Sequence, residues 1–286
     1  MGLSRVQRPV TTAGGLEFVK GHACGNDFLL ASGEDLPEEA LGPLARAMCH
    51  RHHGVGADGL IAYRRTAAGA SMLLRNADGS RAEVSGNGVR CLAAWMAATD
   101  GSSAGEDVVV DTEGGVKTLT LLAAGASRYT FRAHMGEPQG LRQDAVAVDG
   151  EQVPVVVLSV GNPQCIVLVD SFADAERRFE HLGPRLATHE RFPAGTNVEL
   201  VAVERPDRLR MLIWERGVGP TSASGTGACA AAVAAAAFGG ADRAVDVISP
   251  GGSQRVEWAP DGIRLTGWAE IVCRGTWLGV SHKPAG

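Results

Sequence analysis

The sequence contains no Cys-x-x-C pair. Its six cysteines (Cys24, Cys49, Cys91, Cys165, Cys229 and Cys273) are scattered along the chain, several of them in apolar runs. That spacing excludes the usual zinc motifs and a disulfide scaffold, and it fits free thiols buried in a protein of the reducing cytoplasm. No run of 18 apolar residues occurs, which predicts no membrane span. Basic residues are not in excess: 27 Lys and Arg stand against 32 Asp and Glu, for a net charge of −5. Nothing in that balance supplies the electrostatic footprint of a nucleic-acid binder. The opening Met1–Pro9 has two arginines but no apolar stretch after them, so it reads as a short leader and not as a signal peptide. His50, His52 and His53 lie close together without a carboxylate or cysteine to complete a ligand set, so no metal is expected there.

What the chain does have is one glycine-rich stretch written twice. The first copy runs Asn76-Ala-Asp-Gly-Ser-Arg-Ala-Glu-Val-Ser85-Gly86-Asn87-Gly88-Val-Arg-Cys91. The second runs Glu215-Arg216-Gly217-Val-Gly-Pro-Thr-Ser-Ala-Ser224-Gly225-Thr226-Gly227-Ala-Cys229. The two serines are 224 − 85 = 139 residues apart, close to half of the 286-residue chain. A repeat at that distance predicts two similar domains, each bringing one small polar side chain and one helix start to a shared cleft. Glycine lets the backbone turn tightly and approach a ligand, and the alanine-rich runs after each motif are strong helix formers. The free N–H groups at such a helix start suit an anion such as a carboxylate. A serine there is also a favoured N-cap, and one copy alone would signify no more than that.

The remaining pattern places the motifs. Strands are predicted at 16–20, from Phe28, at 60–63 and at 71–75, with an amphipathic helix over 37–53. Three more strands fall between 107 and 135, and Gly114-Gly115 reads as a hairpin turn. The stretch 136–152 is poor in long apolar runs and reads as the crossover between domains. The second half repeats the order, with strands at 153–160, 168–170, 197–201 and 208–215, and helices at 173–186 and up to Phe238. Strands from Val245 through Val280 finish the chain. The class is α+β: two pseudo-symmetric domains, 16–140 and 150–280, each an antiparallel sheet or barrel around a central helix.

Eight short stretches in order carry a resemblance. They are Gly25-Asn-Asp-Phe28, Gly54-Val-Gly-Ala-Asp-Gly59, Arg75-Asn-Ala-Asp-Gly-Ser80, Gly86-Asn-Gly-Val-Arg-Cys91, Val160-Gly-Asn-Pro163, Gly195-Thr-Asn-Val-Glu199, Glu215-Arg-Gly-Val-Gly219 and Gly225-Thr-Gly227. In these the chain resembles diaminopimelate epimerase, a cofactor-independent amino-acid isomerase of lysine biosynthesis, over nearly its whole length. The resemblance implies two pseudo-symmetric domains with the ligand between them. It also implies that Asn26, Asn76, Asn162, Asn197 and Arg216, with the backbone at Glu215, hold a diaminopimelate substrate. Arg216 suits the distal carboxylate, because a guanidinium binds it bidentately. N–H groups around Gly86-Asn87 and Gly225-Thr226 would take the carboxylate at the reacting carbon and the charge that develops there. The family tends towards dimers, so a homodimer is a possible assembly.

The departure from the family lies at the chemistry. Family members have cysteine where this chain has Ser85 and Ser224; one thiolate removes the α-proton and the opposite thiol delivers another. A serine hydroxyl is far less acidic than a thiol and needs a neighbouring base. Gln164 stands where the family usually has histidine, and it carries no proton. Three readings stay open. One is an ordinary epimerase whose two catalytic cysteines were deliberately replaced by serine, so that substrate is held and turnover is slow or lost. Another is a divergent relative with a different isomerase or dehydratase activity, and the third is an amino-acid-binding protein without catalysis. Glu215, Asp78 and Glu83 are candidate bases in the second reading, or partners for loop backbone and ammonium.

Overall fold

The structure, a computed structural model, describes residues 15–279; the leader Met1–Pro9 and Val280 lie outside them. The first stretch of chain forms β1 (Leu16–Ala23), β2 (Asn26–Ser32), α1 (Glu38–Cys49), β3 (Gly59–Thr66), β4 (Gly69–Asn76), β5 (Arg81–Ala82), α2 (Gly86–Asp100), β6 (Asp107–Thr112), β7 (Gly115–Ala124) and β8 (Arg128–His134). Then follow β9 (Gln139–Val148), β10 (Glu151–Ser159), β11 (Pro163–Val169), α3 (Phe172–Ala187), β12 (Asn197–Arg205), β13 (Arg208–Glu215) and β14 (Gly219–Thr221). The chain ends with α4 (Gly225–Phe238), β15 (Ala244–Ser249), β16 (Gly252–Ala259) and β17 (Gly262–Trp277). The described residues divide into two compact units. One takes those up to Thr118, then Ala124–Tyr129 and those from Ala269 on; the other takes Leu119–Ala123 and Thr130–Trp268.

Both units are built on one topology, and their class is α+β. In the first, β1 and β2 pair antiparallel, β2 and β3 parallel, β3 and β4 antiparallel, and β4 and β6 parallel. In the second, β10–β11, β11–β12, β12–β13 and β13–β15 repeat that series of directions. The sheets are therefore mixed and not uniformly antiparallel. Each parallel pair is joined through a helix, because a parallel return needs a crossover longer than a hairpin turn. The stretch 136–152 is a strand and not a plain connector. β9 pairs antiparallel with β10, and alternation puts Val146 and Val148 into the core while their neighbours face outwards. The helix anticipated over 37–53 stops at Cys49, and His50 adopts extended backbone at its end.

Why α4 lies inside the sheet follows from composition. From Ala228 to Ala237 it has no side chain larger than valine, and Gly227 through Ala235 are buried. A helix apolar on every face is stable only where every face is covered. Val156 and Leu158 of β10, Ile166 of β11, Val201 of β12, Met211 and Ile213 of β13 and Val256 of β16 cover it. The opposite faces of β10, β11 and β12 (Val155, Val157, Cys165, Val167, Val198, Leu200) pack on α3 through Ala175, Phe179, Leu182 and Leu186. These strands are thus apolar on both faces, except for buried Gln164 in β11 and Asn197 and Glu199 in β12. In the first unit α2 plays the part of α4, buried from Asn87 to Ala94 and again at Met96 and Ala97.

The tight fit around α4 has a measurable consequence. Ala231→Leu puts a larger side chain where Ala231 is fully buried, and should cost about 1–3 kcal/mol through overpacking. The same change at exposed Ala237 should stay within about 0.5 kcal/mol. Urea titration of both variants reads the difference, and equal losses would contradict the buried-helix account.

Candidate active site

Each unit has one serine-capped helix start. In the first unit the backbone turns out of β5 so that Ser85 takes extended dihedrals (φ −132°, ψ 120°) and its Oγ accepts from the Gly88 N–H at 3.2 Å. This is the N-cap geometry that satisfies one of the first-turn N–H groups. It leaves the serine O–H free to donate elsewhere. Asn87, one residue into the helix, is 5% exposed; its amide nitrogen donates to Asn26 Oδ1 at 3.2 Å, and its oxygen accepts from Arg90. Asn26 in turn donates to Asp58 Oδ2 at 2.8 Å. Asn87, Asn26 and Asp58 are thus one hydrogen-bonded group, and Ser85 caps the helix that carries Asn87. Asn76 lies apart from that group in bonding: its amide donates to Ser80 Oγ at 2.9 Å and closes the 76–80 turn. Asp78 serves the same turn, accepting from the Ser80 N–H at 2.8 Å, and hydrogen bonds from the Ser80 hydroxyl and then from that N–H hold its carboxyl below the usual range. Turn formation, not base chemistry, is what Asp78 does here, and Glu83 is exposed.

Beneath this group is an ionic knot that motif reading did not single out. Asp27, 8% exposed, pairs with Lys20 Nζ at 2.9 Å and Arg51 at 3.0 Å, and accepts from the Asp58 N–H at 3.0 Å. Asp58 pairs with the same Arg51 at 2.8 Å. Burial by itself would raise the Asp27 pKa, but the hydrogen bonds and charges of Arg51 and Lys20 outweigh it and hold the carboxyl below its ordinary value. Asp58 thereby links the knot to Asn26. The signal was in the sequence as two aspartates in Asn26-Asp27 and Ala57-Asp58-Gly59, but only the parallel β2–β3 pairing brings them side by side.

In the second unit Ser224 repeats the cap: φ −136°, ψ 126°, with Oγ accepting from the Gly227 N–H at 3.2 Å. It is more enclosed than Ser85, at 5% exposed. Its surroundings are carboxylic. Glu215 is hydrogen-bonded to Ser224, and burial pushes the Glu215 carboxyl up against the downward pull of that bond. Gln164, 0% exposed, lies 2.7 Å from the Asn162 amide and 3.2 Å from Thr226 Oγ1. Its neighbours are satisfied when its nitrogen faces Glu199, at 3.0 and 3.2 Å from the two carboxyl oxygens, and its oxygen faces the Thr226 hydroxyl and, with the Asn162 amide turned as well, the Asn162 nitrogen at 2.7 Å. Glu199 itself is 0% exposed, and burial followed by the nearby charge of Glu215 raises its pKa well above the ordinary value. The structure therefore joins Asn162, Gln164, Thr226, Ser224, Glu215 and Glu199. Asn197 and Arg216 form a second group: the Arg216 N–H donates to Asn197 Oδ1 at 2.9 Å, and its guanidinium donates to the Ala194 carbonyl at 2.8 Å. Arg216 also lines a cavity of about 510 Å³ with Phe192, Trp214 and Val218. Gly86 and Gly225 open α2 and α4 and place no side chain over the first-turn N–H groups. Among the described residues no cluster of His, Cys, Asp and Glu could hold a metal ion.

Asp27→Asn leaves Lys20 and Arg51 facing an amide, and should cost about 1–3 kcal/mol at neutral pH, since the pair with Lys20 is mostly buried while Arg51 is half-exposed and screened by solvent. A depressed carboxylate pKa stabilises the fold above the unfolded value of about 3.9 and stops doing so as pH falls through the lower folded value. The gap between the urea midpoints of the native chain and Asp27→Asn should accordingly narrow between pH 6 and pH 3. A gap that stays constant with pH would mean that Asp27 is not held ionised by its partners.

Comparison with known proteins agrees with this geometry. The family model for diaminopimelate epimerase matches residues 18–141 and 156–272. A diaminopimelate epimerase of Desulfitobacterium hafniense is 39% identical, covering 92% of this chain and 98% of its own length. One from Desulforudis audaxviator is 40% identical, covering 92% and 99%. Among solved structures, a phenazine biosynthesis protein of Bacillus anthracis superposes with a TM-score of 0.70 at 14% identity, covering 92% of this chain and 99% of that one. A hydroxyproline epimerase of Agrobacterium vitis does so at 0.65 and 14%, covering 91% and 90%. At such low identity these two speak for the fold alone. Two serine-capped helix starts on a repeated topology, together with relatives alike from end to end, place this chain in the diaminopimelate epimerase family.

Proposed function

We propose that this chain binds diaminopimelate and acts on the hydrogen at its α-carbon, interconverting the LL and meso forms, and that with Ser85 and Ser224 in place it does so very slowly. The observation that carries the reading is the paired N-cap: two serines with matching dihedrals, each at the start of a buried helix, in a chain of this family. Taking a proton from one face of a carbon and returning one to the other needs two proton-carrying groups, and these are the two repeated positions. First-turn N–H groups at Gly86-Asn87 and Gly225-Thr226 are suited to the substrate carboxylate and to the charge that builds as the proton leaves. Asn26, Asn76, Asn162 and Asn197 supply amides for the rest of the zwitterion, and Arg216 takes the distal carboxylate.

Serine limits the rate. A hydroxyl reaches the alkoxide far less readily than a thiol reaches the thiolate, so it acts only with a base beside it. Glu215 is that base for Ser224, being bonded to it and held by burial at a raised pKa. At the matching place in the first unit, nine residues before Ser85, stands Asn76, which cannot accept a proton at neutral pH. Gln164 is likewise neutral, so acid–base work falls on carboxylates and hydroxyls alone. We place the protein in the reducing cytoplasm: Cys24, Cys49, Cys91, Cys165 and Cys229 are free and buried, and burial pushes the Cys91 thiol up to about 12. No helix among the described residues is long and apolar enough to cross a membrane.

Two experiments follow. In deuterated water with LL-diaminopimelate, α-hydrogen exchange followed by proton NMR should be slow for the native chain. It should rise roughly 10²–10⁴-fold when Ser85→Cys and Ser224→Cys are combined. Fast exchange with both serines present would refute the proposed rate limit, and no binding or exchange by the double variant would refute the substrate. Arg216→Ala should weaken diaminopimelate binding by about 1.5–3 kcal/mol, roughly 10–150-fold in Kd by calorimetry, since a charge-assisted hydrogen bond is lost. An unchanged Kd would remove Arg216 from the binding set.

A further inference from the structure

The repeated topology allows each residue near one serine to be matched with its counterpart near the other. In β2–β3, Phe28 lies opposite Gly59; in β11–β12, Gln164 lies opposite Asn197. Two residues further along, on the same face, stand Ile61 and Glu199. The glycines of the two first turns confirm the match. A Cβ added at Gly88 would meet Ile61 Cδ1 at 3.0 Å and Phe28 at 3.5 Å, whereas one added at Gly227 would meet Glu199 Oε1 at 2.5 Å. The floor under one helix start is therefore hydrocarbon, and the floor under the other is a buried carboxyl with an amide beside it. Burying a carboxyl in an otherwise apolar strand costs several kcal/mol unless its oxygens are engaged. Glu199 engages Gln164 with both of them.

We infer that Glu199 is a positioning residue for Ser224: through Gln164 it keeps the Thr226 hydroxyl from donating to the Ser224 oxygen, while Ile61 and Phe28 hold the matching places under Ser85. The argument rests on donor and acceptor inventory. With the Gln164 nitrogen committed to Glu199, its carbonyl oxygen faces Thr226 Oγ1 at 3.2 Å. A carbonyl only accepts, so the single Thr226 O–H is used there. Thr226 Oγ1 can then only accept from Ser224 Oγ, 3.5 Å away. Thr226 therefore donates nothing to the serine oxygen, and the single Ser224 O–H has two acceptors beside it, Thr226 Oγ1 and the Glu215 carboxyl. Whether or not Glu199 is ionised, at least one carboxyl oxygen remains a pure acceptor for Gln164. Burial and the charge of Glu215 favour its neutral form, and Cys165 is the other titrating group within reach of its charge. Gly227 is glycine because any side chain there would collide with the carboxyl.

This inference deepens the reading of Ser224 as a proton-carrying residue, and its test uses no substrate, so the two fail separately. Ser224→Cys or Ser85→Cys is introduced in a Cys273→Ser background, which removes the exposed native thiol. The thiol pKa is then taken from alkylation rate against pH. Adding Glu199→Gln frees the Gln164 amide to turn and the Thr226 hydroxyl to donate to the sulfur, which favours thiolate. The pKa of the thiol at position 224 should fall by about 0.5 or more, roughly a threefold gain in thiolate at a pH below both values. The thiol at position 85 should not move. Gln164→Leu releases Thr226 directly and should give the same fall, and Glu199→Gln added to it should change nothing further. That variant keeps the test open should Glu199→Gln not fold. An unmoved thiol at 224, an equal shift at 85, or an effect of Glu199→Gln that survives Gln164→Leu would each overturn the inference.

Discussion

The first turn of any α-helix has N–H groups that no carbonyl of the same helix can reach. This protein buries two such turns, in α2 and α4, and meets each with a serine oxygen. Much else follows from that arrangement. A helix can start inside a sheet only if its orphan donors are satisfied, and it can continue there only if it is narrow. The alanine run of α4 meets the second condition and Ser224 the first. The donors that remain in each first turn are what make the place attractive to a carboxylate.

The repeat is one of backbone, not of chemistry. Both units have the same order of parallel and antiparallel pairs, the same cap dihedrals and glycines at the same steps of the motif. Around that shared frame the side chains diverge. Ser85 is half-exposed, with its helix's Asn87 tied to Asn26 and through it to an ionic knot of Asp27, Asp58, Lys20 and Arg51. Ser224 is buried among Glu215, Gln164 and Glu199. Fixed charge is balanced in one unit by ion pairs, and in the other it is suppressed by burial. These are the two ways a protein tolerates carboxylates away from water.

Several features were legible in advance for definite reasons. Helical spacing located α1, alanine-rich composition located α2 and α4, and alternation located most strands, since all of these patterns are local. Gly-Asn-Gly and Gly-Thr-Gly after serine marked the two helix starts, since capping is also local. Less was legible where pairing decides the outcome. The stretch 136–152 contains only two residues that alternation buries, Val146 and Val148, and it becomes a strand because β10 offers it an edge. Parallel pairs such as β2–β3 leave no mark in either strand alone. Glu199 did leave a signal, as one charge within Asn197-Val-Glu-Leu-Val-Ala-Val, but its partner Gln164 is distant in sequence and reaches it only through the β11–β12 register.

The sequence by itself determined the family, the α+β class, the duplicated helix starts and the serine that stands at each, because each is written in residue type or in spacing along the chain. Only the tertiary structure decided that the two serines have unlike neighbours: hydrocarbon at Ile61 and Phe28 beneath one, buried carboxyl and amide at Glu199 and Gln164 beneath the other. The reason is that burial and hydrogen-bond direction belong to strands brought side by side, and neither quantity exists until the sheet has closed around its helix.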